Sequence, residues 1–173
     1  MNDFGVVTEA GAVRFERVLS APIERVWTYL TDSEKRGKWL ATGPMELRPG
    51  GKAELTWDNS RLTTEKEVPP KYKNHAGRHS ATWTVVRVEK PRLLVLMWPM
   101  QVGETEVTFE LSERGNNTVL VLTHRHLDRA TMLSVGPGWH AHLTVMEEVL
   151  RGVEPGPFWT NISRLAPEYE KRL

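Results

Sequence analysis

The chain of 173 residues has the size of one domain built around one core. Its 23 Lys and Arg against 22 Asp and Glu leave a net charge of +1, which excludes the basic footprint of most nucleic-acid binders and the polybasic face of a membrane-surface protein. Cys is absent, ruling out a disulfide framework or thiolate chemistry, while seven Trp against four Phe and three Tyr give an aromatic set dominated by its bulkiest member.

No segment approaches the roughly 18 uninterrupted apolar residues of a membrane span, so no membrane insertion is expected. Residues 1–12 carry Asp3 and Glu9 and lack the basic and apolar regions of a signal peptide, which makes the cytoplasm the expected location. After this N-terminal segment, Val13, Phe15 and Leu19 share one side of an extended run with Arg14 and Glu16 opposite, predicting a first strand. Pro22 opens a helix in which Ile23, Val26, Trp27 and Leu30 form one apolar stripe. Thr31 and Glu34 read as a capping box for a second short helix ending near Trp39 and Leu40. Met45 and Leu47, the Pro49-Gly50-Gly51 turn, and Ala53, Leu55 and Trp57 read as a hairpin.

Residues 58–79 have no clear period and contain Pro69-Pro70, so a long loop is expected, its mixed charges facing solvent. Four strand-like runs follow: Ser80 to Glu89, Arg92 to Trp98, Glu104 to Glu113 and Thr118 to Leu127. In the third, Val107, Phe109 and Leu111 alternate with Thr108 and Glu110, as in an antiparallel sheet with one wet face. Gly136-Pro137-Gly138 predicts a late start or a kink in the final long helix, whose stripe is Trp139, Leu143, Met146 and Leu150. Residues 153–173 form a C-terminal extension with a short helix carrying Phe158, Trp159, Ile162 and Leu165 ahead of Pro167. It either docks on its own domain, the preferred reading, or meets a partner or a second copy of the chain.

Several segments, in order, carry a family likeness: Ser20-Ala21-Pro22 with Val26-Trp27, then Trp39, Pro49-Gly50-Gly51, Val86 through Leu93 ending at Trp98, Thr105 through Leu111, Thr118 through His124, and Gly138-Trp139 with Leu143. From about residue 13 to 152 the chain resembles the domain related to the activator of the heat-shock-protein-90 ATPase, within the START-like and polyketide-cyclase-like superfamily. The resemblance implies an α+β helix-grip fold: a curved antiparallel sheet of about seven strands wrapped around a long C-terminal helix, two short helices after the first strand, and a hydrophobic cavity between sheet and helix. It leaves function open, because one fold hosts many.

The candidate cavity residues follow from placing the aromatic set on those elements. Trp27 and Leu30 fall on the first helix, Trp39 on the second, Trp57, Trp83, Trp98 and Phe109 on strands, and Trp139 and Met146 on the gripping helix. His124 on the last strand and His142 on that helix are the polar candidates. His124 and His126 share a strand face, but His140 and His142 point about 200° apart on a helix and cannot both turn inward, so no metal site is assigned. Neither a Gly-x-Ser-x-Gly elbow nor a phosphate loop or dinucleotide fingerprint is present, so no cofactor is assigned. His75 and His79 are read as part of a solvated loop.

Three functions remain open. The preferred one is a non-catalytic protein holding a small apolar or aromatic molecule. The alternatives are a cyclase- or hydrolase-type enzyme using a pocket histidine, and a chaperone-associated interaction module.

Overall fold

The computed structural model describes residues 3–173, so the first two residues of the N-terminal segment, and the reading made of them, lie outside the described chain. Seven strands form one antiparallel sheet: β1 (Val6–Glu9), β2 (Ala12–Leu19), β3 (Lys52–Trp57), β4 (His79–Glu89), β5 (Leu93–Met100), β6 (Gly103–Arg114) and β7 (Asn117–Arg125). Strands β3 to β7 run as a meander, and β2 then pairs with β7 to carry the sheet on to β1. The helices are α1 (Ile23–Thr31), α2 (Ser33–Arg36), α3 (Lys73–Ala76), α4 (Arg129–Leu150) and α5 (Phe158–Arg172). This is the expected α+β helix-grip arrangement, with short helices after the strand that begins at Ala12.

That strand is the second in the sheet. Strand β1 precedes it and pairs through Val6↔Arg14 and Val7↔Val13. All four of its residues are exposed, so it lacks the in-and-out alternation by which a half-buried strand is recognised. On β2 the inward face is Val13, Phe15, Arg17 and Leu19. Arg17 is 2% exposed and its Nε lies 2.7 Å from Glu147 on α4, tying β2 to the gripping helix.

Two expectations for the segment between β2 and β3 are corrected. Helix α2 is capped by Asp32, whose side chain accepts the Lys35 N–H at 2.9 Å; the Thr31 hydroxyl is turned back to the Trp27 carbonyl. The arm opposite β3 makes only the bridges Thr42↔Thr56 and Met45↔Ala53. Here Gly43, at φ 120, lies so close to β3 that a Cβ would fall 1.9 Å from the Glu54 carbonyl, and Pro44 has no N–H for the ladder.

Helix α4 does not start late at Gly138. It begins at Arg129, capped by Asp128 accepting the Thr131 N–H at 2.7 Å, and runs through Pro137 for 22 residues. Pro137 withholds one N–H from the Leu133 carbonyl, but packing on two faces outweighs that loss. The sheet covers one face and α5 the other, with the Tyr169 ring 3.2 Å from where a Cβ of Gly136 would lie. Helix α5 likewise passes Pro167 to reach Arg172, longer than the short helix expected, and docks on its own domain through buried Phe158, Trp159, Ile162, Leu165 and Tyr169.

The two-sided cover of α4 also corrects the reading of its histidines. His140 and His142 point apart, yet both are buried: His142 against the Trp39 carbonyl beyond α2 and the Phe158 ring at the start of α5, His140 farther along α5, with its Nδ1 2.9 Å from the Tyr169 hydroxyl.

Candidate functional site

A cavity of about 590 Å³ opens between β3, β4 and β5, the N-terminal half of α4, the segment 58–79 and α5. Five of its wall residues are tryptophans: Trp57, Trp83, Trp98, Trp139 and Trp159. Alternation along the strands puts Trp57, Trp83 and Trp98 on the face that α4 grips. Trp83 and Trp98 stack with centroids 4.4 Å apart, Trp57 lies 6.5 Å from Trp98 at 23°, and His79 stacks on Trp57 at 5.4 Å. Trp139 meets Trp98 edge-on at 6.2 Å and 90°.

A hydrogen-bonded relay behind this wall fixes Trp139. Its Nε1 donates to His124 Nδ1 at 3.1 Å, His124 Nε2 lies 2.9 Å from the Thr105 hydroxyl, and that hydroxyl donates to the Trp98 carbonyl at 2.8 Å. With Nδ1 accepting and the hydroxyl proton spent on Trp98, the His124 proton sits on Nε2 and the ring is neutral. Burial, with a smaller contribution from His126, pushes its pKa down to about 3. His124 is thus a positioning residue for Trp139 and Trp98, set one layer back from the cavity.

His142 reaches the cavity wall. Its Nδ1 lies 2.7 Å from the Trp39 carbonyl, and burial, opposed by that bond, lowers its pKa to about 4.

Of the residues expected from sequence, the fold brings Trp57, Trp83, Trp98, Trp139 and His142 together on the wall. Trp27, Leu30, Phe109 and Met146 are solid core. Trp39 is core as well, its Nε1 donating to the Tyr29 carbonyl at 2.8 Å. The sequence reading missed the contribution of the segment 58–79. It is ordered by turns at Asn59–Leu62 and Pro70–Tyr72 and by α3, and it supplies Asn59, Lys71, Tyr72 and His75 to the wall. Phe158 and Trp159 were visible as an apolar stripe, but their place against Tyr72, which stacks 6.2 Å from Trp159, was not. The described residues hold no group of three His, Asp or Glu side chains able to bind a metal, and no helix among them is long and apolar enough to cross a membrane.

A curved antiparallel sheet gripping a long C-terminal helix defines the START-like, polyketide-cyclase-like class. Within it, the chain belongs to the family described as activator of Hsp90 ATPase homolog 1-like protein, whose model matches residues 20–151. It is similar over 99% of its length to 91% of a Bordetella parapertussis protein solved by NMR, at 43% identity and a TM-score of 0.85. CalU16 from Micromonospora echinospora is 26% identical over 91% of this chain and 84% of its own, with a TM-score of 0.68. A conserved protein of unknown function from Enterococcus faecalis shares the fold at 18% identity, a TM-score of 0.68 and 98% and 89% coverage of this chain and its own. No curated protein sequence matches the chain. The match of the family model ends at residue 151, before α5.

Proposed function

We propose that this chain is a binding protein for a small apolar or aromatic molecule held between the sheet and α4. The observation that carries the reading is the cavity itself, whose volume suits a small-molecule site and whose wall holds five of the chain's seven tryptophans. A protein that needed tryptophan only for packing would fill this space, as Trp27 and Trp39 do elsewhere in the core. Indole faces at the wall bind flat apolar surface with little loss of side-chain freedom.

A second reading, an enzyme of the cyclase or hydrolase kind, rests on His142, the one buried histidine at the wall. Its lowered pKa makes it a weak base near neutral pH, which favours the binding reading.

Native mass spectrometry of freshly purified protein tests the proposal. A small-molecule adduct that disappears on denaturation is the expected result. A bare chain whose tryptophan fluorescence also ignores a panel of aromatic and aliphatic compounds would overturn it.

A further inference from the structure

The cavity wall changes character from inside to mouth. Trp83, Trp139, Phe158 and Trp159 are almost fully buried, whereas Lys71, His75, His79, Ser134 and Glu170 are exposed where the cavity opens. Three of those mouth residues can carry positive charge against one carboxylate, on a chain whose overall charge is only +1. Among the described residues, neither Lys71 nor either histidine has an ion-pair partner, although nine such pairs form elsewhere. His79 is held by the Gly77 carbonyl at 3.0 Å and by the Trp57 ring, and the Lys71 ammonium lies 5.7 Å over the Tyr72 ring, which leaves Lys71 as the mouth charge open to an anion.

We propose that the cavity takes a flat aromatic acid, with its ring among Trp57, Trp98 and Trp139 and its carboxylate at the mouth facing Lys71, His75 and His79. The proposal rests on the binding reading above and adds the charge and shape of the ligand. The ring gains from the near-parallel faces of Trp57 and Trp98 and the edge of Trp139. The carboxylate stays in the wet mouth, where pairing with Lys71 involves little desolvation, and Glu170 disfavours it mildly.

The test compares 2-naphthoate with its neutral isostere 2-naphthamide and with 2-naphthylmethylammonium, by calorimetry at low salt. The expected order is acid, amide, cation. One exposed pairing should favour the acid over the amide about fivefold, and the difference should shrink as salt is added. Lys71→Met should bring acid and amide together without weakening the amide, and Glu170→Gln should widen the gap. Both positions are exposed, so the variants should fold, which thermal unfolding verifies. Equal binding of acid and amide, or a preference that survives Lys71→Met, would overturn the acid proposal while leaving the binding reading intact. If none of the three binds, the acid proposal falls, and the binding reading stands or falls by the native mass spectrum and the compound panel.

Discussion

The Glu65 carboxylate accepts the backbone N–H of Trp159 at 2.6 Å, so a residue of the segment 58–79 caps the helix that closes the cavity. The same oxygen accepts the Thr160 N–H at 3.2 Å, and the Thr63 hydroxyl accepts the Phe158 N–H at 3.2 Å. Pro157, the residue in the capping position, has no side chain able to do this. Segment and helix are therefore one unit, joined again by the Tyr72 and Trp159 rings.

Replacing Glu65 by Gln should lower stability by about 1 kcal/mol, the usual cost of a lost helix cap and its charge at the N-terminus. Burial raises the Glu65 pKa, but the bonds from Thr160, Trp159 and Thr63 outweigh it and hold the carboxyl below its ordinary range. A depressed folded pKa means that this contribution is present above the unfolded pKa and is lost as the pH falls through the folded value. Urea midpoints of the two proteins should accordingly differ at pH 7 and converge in acid.

The buried histidines set a larger acid sensitivity. Burial is the main cause in each case, pushing His124 to about 3 and His140 and His142 to about 4. Between those values and the ordinary pKa near 6.5, the unfolded chain binds protons that the folded chain refuses, so stability rises with pH across that window. Unfolding near pH 5 should take up nearly three protons from these groups, a slope of about 4 kcal/mol per pH unit. His124→Gln should flatten that slope by close to one proton, and an unchanged slope would contradict the neutral assignment of the ring.

Gly138 offers a way to close the cavity without disturbing the core. It sits inside α4 at the cavity wall, and a Cβ there would meet no heavy atom within 4 Å. Gly138→Leu should hold stability level or raise it by up to about 1 kcal/mol through helix propensity. The same change should cut the affinity for any cavity ligand at least tenfold. Parallel thermal unfolding and binding titrations measure both effects, and a variant that binds normally would count against this cavity as the site.

Arg36 tests the support of the small helices. It is 2% exposed and donates to the carbonyls of Ala41 at 3.1 Å, Thr31 at 3.0 Å and Leu30 at 3.4 Å, and to that of Gly43. Burial, opposed by Asp32, lowers its pKa only to about 10, so it stays charged at neutral pH. Arg36→Met strips four carbonyls of their donor and should cost at least about 3 kcal/mol in urea unfolding. A loss below about 1 kcal/mol would show that those carbonyls find other partners.

Much of this fold was legible because its strands alternate and its first helix carries one apolar stripe. Phe109, pairing with Leu94 on one side and Leu122 on the other, sits in a run whose in-and-out pattern fixes its register. Gly136-Pro137-Gly138 misled because local propensity favours a break there, whereas α5 and the sheet hold α4 continuous from both sides. His140 was hidden for the same reason, since the helix pattern gives no sign that a second helix covers its outer face. At the site, the tryptophans on strands and on α4 could be placed by period alone. Tyr72, His75 and Lys71 come from a segment without periodicity, brought to the cavity by long-range ties such as the Glu65 cap on α5, the Asn59 amide on the His75 carbonyl and the Tyr72 stack on Trp159.

The seven indole N–H resonances distinguish a ligand cavity from a passive void, because the structure divides them five to two. In a 1H–15N spectrum of the labelled protein titrated with millimolar 2-naphthol, a neutral flat ligand, the signals of Trp57, Trp83, Trp98, Trp139 and Trp159 should shift together along one binding curve. Those of Trp27 and Trp39 should stay in place. Seven unmoved signals, or Trp27 and Trp39 moving with the rest, would contradict the account of this cavity as a binding site.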